Sequence, residues 1–534
     1  MTNPARTNTA LTNPAERYDV VICGGGLAGL TLSRQLKRAM PELSVLVVER
    51  TAGDVIPDGA YKVGEATVEG GAHYFTEQLG LAGHFNTRHL HKLGLRMFFG
   101  DAHGPFEARP ELGARRFPRV PSYQIDRGIF ERELRRGVRE LGVDLVEQAK
   151  VADVDLGTGE DDHVVHIEVP GVGGDRAVRA RFVADATGRR RLLQRKLELG
   201  TPSPHKINAV WWRFRGEYDV ERMTDTTSLT WRPKTQERRW FSTNHLMGSG
   251  YWVWMIPLSS GNTSIGIVTD ERIHPFSSYA TEAKARQWLD EYEPTLATFI
   301  RDAEPIDFLR MRNASYGSRQ IFSHHRWACL GEAAVFLDAF YSPGSDFIAY
   351  TNHITTRLIE LDRAGRLTAD VAATYNRLML EDLWPNYLAM YHENYPSFGS
   401  APAMFTKVMW DTSFYWALPS SLLFHGLIAN EDAAAEFHPI ATRFQGIQHR
   451  MQANLRAFAA QAPQPDKYLF VEYSKIPICA QLHLDLLTDK TATQAFRDMR
   501  RNVDRLEAWA ESFEQEVGKQ YDLPQREPAV AVAE

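Results

Sequence analysis

Residues 24–30, GGGLAGL, follow an apolar run, Tyr18–Cys23 (YDVVIC), and open a segment, Leu27–Ala39, with helical spacing that closes near Pro41. Gly24, Gly26 and Gly29 form GxGxxG. The first glycine permits a tight turn, the second lets a pyrophosphate approach the backbone, and the third lets helix and strand pack closely. The helix start at Leu27 and Ala28 offers free N–H groups and a positive dipole end to phosphates. A second apolar run, Ser44–Val48, ends at Glu49, twenty residues past Gly29, with Arg50 beside it. An acid there accepts hydrogen bonds from a ribose hydroxyl pair. Strand, glycine loop, helix, strand and acid in register describe a βαβ dinucleotide site rather than a bare glycine turn.

A chain of 534 residues exceeds one ordinary core and implies two or three domains. The expected division is a disordered tail over 1–16, a dinucleotide-binding domain over 17–200 that resumes over 321–365, an antiparallel β substrate domain over 201–320, a mostly helical region over 366–520 and a frayed end over 521–534. The substrate domain is read from the Trp, Thr, Val and Ile runs between residues 207 and 268. A net charge of −6 gives no reason to expect nucleic acid or an anionic membrane. Cys23, Cys329 and Cys479 are far apart and form no CxxC pair, which argues against disulfides or zinc and for a reducing compartment. No histidine spacing suits a metal. The polar opening stretch lacks the apolar run of a signal peptide, and no apolar stretch is long enough for a bilayer. The expected location is the cytoplasm.

Further segments carry a family resemblance. LGEAAVFLDAFYSPGSDF (Leu330–Phe347), VADATGR (Val183–Arg189) and YQIDRGIF (Tyr123–Phe130) join the glycine loop in resembling the glutathione-reductase-type FAD fold of aromatic hydroxylases and flavin-dependent halogenases. The resemblance implies an α/β chain: a Rossmann-type FAD-binding domain, an inserted antiparallel β-sheet substrate domain and a mostly helical C-terminal region. It implies FAD as cofactor, with Gln124, Arg127, Asp185, Gly331, Glu332 and Gly344 as contacts besides the glycine loop. Glu332 stands where the family usually has Asp. No second GxGxxG is visible for a nicotinamide cofactor, consistent with reduced flavin from a separate reductase.

Two features resemble the halogenase branch. WVWMIP (Trp252–Pro257) matches its WxWxIP motif, and on a strand Trp252 and Trp254 point to one face. In that family the rings lie between flavin and substrate. Lys92 follows KVGEATVEGG (Lys62–Gly71) at the position of the halogenase lysine, whose ammonium hydrogen-bonds hypohalous acid or whose amine forms a haloamine. Two features differ. Tyr341 replaces the glutamate of tryptophan-directed members, which excludes the free-tryptophan branch. The family's halide turn corresponds to Ser342-Pro343-Gly344, and Pro343 has no N–H to offer an anion, leaving Ser342 and Gly344 as the halide candidates. The preferred reading is a halogenase using reduced FAD, O2 and halide on an aromatic or carrier-tethered organic substrate. The alternatives are a monooxygenase or dehydrogenase of the same fold and a non-catalytic flavin-binding protein. Aromatic residues from Trp384 to Phe424, including Tyr387, Trp410, Phe414, Tyr415 and Trp416, are either a pocket lining or core.

Overall fold

The computed structural model describes residues 17–58, 62–170, 176–224 and 230–524. The expected tail over 1–16, and residues 525–534 of the expected frayed end, lie outside them. The strand β1 (Arg17–Cys23) is central in an eight-stranded sheet, flanked in parallel by β2 (Val45–Val48) and by Arg176–Asp185. Its residues Val20 to Cys23 are wholly buried, as a strand covered on both faces requires. Helix α1 (Leu27–Ala39) connects β1 to β2 and buries Leu30, Leu32 and Leu36. The parallel core continues to Asp144–Val146 on one side and Trp327–Cys329 on the other. The strand ends of β1, β2 and Arg176–Asp185 are level, because Cys23 pairs with both Val48 and Asp185. A ligand at the glycine loop therefore sits at the carboxyl edge of three strands at once.

A second eight-stranded sheet centres on Ile207–Arg215, Asn262–Asp270, Tyr251–Pro257 and Thr243–Gly248, all antiparallel neighbours. Along Tyr251–Pro257 the faces separate with a period of two. Trp252, Trp254 and Ile256 join the core shared with the first sheet, while Tyr251, Val253 and Met255 join a second core beneath Trp288 and Leu289. The sheet is not confined to residues 201–320, nor wholly antiparallel. Leu95–Phe98 adds to Thr243–Gly248 in parallel, Glu111–Leu112 follows, and Phe470–Val471 closes the edge, also in parallel. These pieces supply backbone partners to an edge that would otherwise stay open.

The C-terminal region is helical, with helices at Ala401–Ala417, Glu431–Gln461 and Ala492–Val517 packed together. Trp410 and Phe414 stack on Phe444, so this part of the aromatic segment is core. Among the described residues no helix is long and apolar enough to cross a membrane, and no three acidic, His or Cys side chains are grouped to hold a metal. The three cysteines are buried and free.

At Gly29 a Cβ would stand 2.0 Å from the Gly24 carbonyl oxygen, a backbone atom that cannot yield. Gly29→Val should lower the thermal unfolding midpoint and destabilise the FAD-binding domain by about 1–3 kcal/mol, the range for overpacking. An unaltered unfolding curve would show that the α1–β1 crossing is looser than described.

Candidate active site

The glycine loop forms a cradle on one side and leaves space on the other. Gly24 has φ +114°, and a Cβ there would meet the Ala186 carbonyl oxygen at 2.4 Å. At Gly26 a Cβ meets nothing within 4 Å, so the space beside it is open to a ligand. The first-turn N–H groups of Leu27 and Ala28 have no acceptor within α1. Glu49 is half-buried, and its two oxygens accept the N–H groups of Gly25 at 2.8 Å and Thr51 at 2.9 Å. These bonds aim the carboxylate across the loop and leave lone pairs for ribose hydroxyls. Arg50 is exposed beside it. An open Gly26, an aimed Glu49 and a helix N-terminus between them fit the phosphates and ribose of FAD.

From Leu27 a cleft runs between the two sheets, lined by apolar side chains with a few convergent polar groups. Arg127, Glu332 and Gly344 line it. Arg127 is fixed by the Val63 carbonyl at 2.8 Å and by Glu131. The Glu332 carboxyl has no hydrogen bond among the described residues. Burial raises its pKa, opposed by the charges of Arg189, Arg127 and Lys62. Gly331 lies at φ +48°, where a Cβ would strike Ile348 at 2.8 Å, and its N–H goes to Thr351. Its contribution is the backbone path that brings Glu332 to the cleft. Trp252 and Trp254 also line the cleft. The Trp254 ring lies over Gly266, and the Trp252 indole donates to the Tyr395 hydroxyl at 2.9 Å, which in turn donates to Asp338.

Four expectations need correction. The Asp185 carboxylate does not reach the cleft. It accepts from the Thr187 N–H, the Thr187 hydroxyl and the Leu193 N–H, tying its own turn. Gln124 stands behind Thr243, its amide engaged with that hydroxyl, and Thr243 lines the cleft in its place. The Ser342 N–H donates to the Ala339 carbonyl at 3.0 Å, so it is not free for a halide. With Pro343 lacking an N–H, the remaining donors are Gly344 and Ser345, at the start of the Gly344–Arg363 helix. Finally, the tryptophans line the cofactor cleft but not the space around Lys92. Pro343 is common to both spaces and forms the partition.

Behind that partition lies a chamber lined by Lys92, Glu69 and Asp346, with Tyr387, Tyr415 and Trp416 among its walls. Lys92 directly follows a short strand pairing, Leu90–His91 with Tyr123–Gln124, and its N–H is held by the Ser122 carbonyl. The side chain is 2% exposed, and Nζ donates to the Thr67 carbonyl at 2.8 Å. Thr67 lines the cofactor cleft, so Lys92 reaches from the chamber to the partition. Burial lowers the Lys92 pKa to about 8, against the charges of Glu69 and Asp346. Sequence reasoning missed Glu69 and Asp346. Both lie inside the recognised motifs, one residue before Gly70 and two after Gly344, and that position in the pattern is the signal that could have marked them.

A tryptophan halogenase family model matches residues 111–383, just over half of the chain. The chain belongs to this family. It is therefore an FAD-dependent oxidoreductase of halogenase-like type. A flavin-dependent halogenase of Dictyostelium discoideum, chlA, is 28% identical over 76% of this chain and 71% of its own. A 1H-pyrrole-2-carbonyl-[peptidyl-carrier protein] brominase of Pseudoalteromonas luteoviolacea is 28% identical over 62% of this chain and 74% of its own. Among solved structures, halogenase PltM in complex with phloroglucinol and FAD aligns with a TM-score of 0.63 at 16% identity, covering 95% of this chain and 97% of that one. A flavoprotein/dehydrogenase from Cytophaga hutchinsonii shares the fold at a TM-score of 0.56 and 17% identity, over 81% and 99% of the two chains.

Because the space beside Gly26 is open, Gly26→Ala should leave the unfolding midpoint of the cofactor-free protein unchanged while abolishing FAD retention on purification. Glu49→Ala should weaken FAD by about 1.5–3 kcal/mol, the range for hydrogen bonds to a charged group. Equilibrium titration checks both, and an unchanged FAD dissociation constant in Glu49→Ala would remove that residue from the site.

Proposed function

We propose that this halogenase-like enzyme uses Lys92 to direct a halogen onto an organic ring held in the Lys92 chamber. The observation that carries the reading is a buried lysine in a chamber that shares Pro343 as a lining residue with the cofactor cleft. FAD, when bound and reduced, supplies the electrons for O2 to oxidise halide to hypohalous acid. The protein's own work comes after. Trp252 and Trp254 wall the cleft and keep a substrate ring out of it. Lys92 donates a hydrogen bond to the hypohalous oxygen, so that as the O–X bond breaks the departing hydroxide receives a proton and leaves as water. The chamber's tyrosine and tryptophan rings favour an aromatic substrate. The carrier-protein pyrrole brominase among the relatives extends the reading to tethered rings, and reduced flavin from a separate reductase fits the single dinucleotide motif.

One observation favours the alternative of an oxygenase or dehydrogenase on the same fold. The halide turn has lost two donors, at Ser342 by its bond to Ala339 and at Pro343 by chemistry. The deciding experiment is turnover of wild type and Lys92→Ala in bromide-containing and halide-free buffer. Under the halogenase reading Lys92→Ala and Lys92→Met each lose at least about 100-fold in halogenated product, the lower end of general-acid contributions, while flavin reoxidation continues. Product that carries oxygen or has lost hydrogen, at a rate indifferent to bromide and to Lys92, would establish the alternative.

The pH dependence has a definite sign. Below about 8 the buried Lys92 is an ammonium and can donate, and above it the amine dominates. Halogenation should therefore fall as pH rises through about 8, with flavin reoxidation followed separately. A rate that instead climbs through that range would assign the chemistry to the amine and a haloamine route.

A further inference from the structure

Three carboxylates line the chamber, and two are already committed. Glu69 lies 3.3 Å from the His483 ring. Burial opposes its charge, but the hydrogen bond and charge of His483 outweigh this and hold its pKa low. Asp411 accepts from Lys407 at 2.7 Å, Gln452 at 2.7 Å and the Tyr341 hydroxyl at 2.9 Å. Asp346 differs. It is wholly buried, its Oδ1 accepts the Gly71 N–H at 2.6 Å, and its Oδ2 accepts no hydrogen bond among the described residues. The Tyr415 hydroxyl, which accepts from Gly70, itself hydrogen-bonds the Asp346 carboxyl and opposes its protonation. A buried carboxylate oxygen without a donor is costly, and it is satisfied most simply by a donor on the bound substrate. Two other wall atoms ask for the converse. The Trp416 indole N–H and the Tyr391 hydroxyl are buried without partners. A ring hydroxyl both donates and accepts, and it answers both needs.

We propose, on the halogenase reading above, that Asp346 is the catalytic base of the chamber and that its Oδ2 receives the proton of a hydroxyl on the substrate's aromatic ring. Proton transfer leaves an aryloxide, whose oxygen electrons push into the ring. The ring carbon bonds halogen as the O–X bond breaks, and the hydroxide takes a proton from the Lys92 ammonium to leave as water. The carbon then loses its own proton to the Lys92 amine, the ring regains aromaticity, and Asp346 returns its proton to the aryl oxygen. The sum is ArH + HOX → ArX + H2O, with Asp346 and Lys92 restored. The groups facing Asp346 are Glu69, Lys92, Tyr350, Tyr387, Tyr391 and Tyr415. Burial raises its pKa to about 7, with Tyr415 and the Gly71 N–H opposing, which suits a group that must both take and return a proton near neutrality.

The test uses the holoenzyme with reduced FAD, O2 and bromide, phenol and anisole as probes, and a soluble hypobromite trap. The reading is the ratio of brominated arene to trapped hypobromite. Wild type should brominate phenol and not anisole, which has no O–H to give. Asp346→Asn should lower the phenol ratio by about 100-fold, a typical contribution of a positioned base, and Asp346→Glu should recover most of it. An unchanged ratio in Asp346→Asn, or wild type that brominates anisole as well as phenol, overturns the proposal. If Asp346→Asn does not retain FAD, the wild-type comparison of the two probes decides alone. Absence of hypobromite from wild type would instead overturn the halogenase reading itself, and so the two failures are told apart.

Discussion

The active region depends on one close approach of backbone to side chain. Helix α2 (Glu69–His73) lies against the first turn of the Gly344–Arg363 helix with no room for a Cβ between them. A Cβ at Gly71 would stand 2.1 Å from the Ser345 hydroxyl, and one at Gly70 would stand 2.9 Å from Asp346. The bare backbone allows the two glycine N–H groups to be shared out, Gly71 to Asp346 and Gly70 to Tyr415. Three distant parts of the chain meet there: the Lys62–Gly71 segment, the Leu330–Phe347 segment and the C-terminal helix Ala401–Ala417. Once they meet, the start of the Gly344–Arg363 helix faces the cleft, Pro343 becomes the partition, and Glu69 and Asp346 come into the space that Lys92 enters. Glycine is required at both positions by contact distance rather than by backbone angle.

The parts of this architecture that local chemistry determines could be read directly. YDVVIC, GGGLAGL and the strand before Glu49 specify a strand, a turn, a helix and a strand within one short span, and helix α1 falls where the pattern places it. WVWMIP alternates between two cores, so that the common face of Trp252 and Trp254 follows from the period of a strand. The second sheet was legible only in its hairpin-connected middle. Glu111–Leu112 and Phe470–Val471 are two-residue strands, too short for any alternation, and they pair across more than 350 positions of sequence. Nothing local marks them as partners.

Side-chain destinations were harder to read than side-chain types. Asp185 in VADATGR sits at a strand end level with Cys23 before the glycine loop, yet the same placement lets its oxygens close the Thr187 turn, and the turn wins because three donors lie within reach. Asp346 gave the opposite signal. A carboxylate in the first turn of a helix ordinarily complements the dipole from the surface, and its burial arises only because α2 and Tyr415 cover it. The turn before it is unusual in its own right. Tyr341 and Ser342 both have positive φ, at 67° and 57°, although neither is glycine. Such a conformation is held in place by the surrounding structure, here by the Asp411 bond to the Tyr341 hydroxyl and by Ser342 N–H on Ala339.

These arrangements give the chamber a particular electrostatic state. Lys92 would lose its proton if buried among apolar groups alone, and Asp346 would take one up. Burial drives both shifts; Glu69 and then Asp346 hold the Lys92 pKa at about 8, while Tyr415, the Gly71 N–H and lastly Lys92 hold that of Asp346 at about 7. Glu69 is held low through His483 and Asp411 is engaged by Lys407, Gln452 and Tyr341, whereas one oxygen of Asp346 has no donor among the described residues. The chamber thus holds a donor, Lys92, for the leaving hydroxide and an acceptor, Asp346, for the ring. The two glycines that admit Asp346 to the chamber are thus as much a part of its acid–base chemistry as the lysine itself.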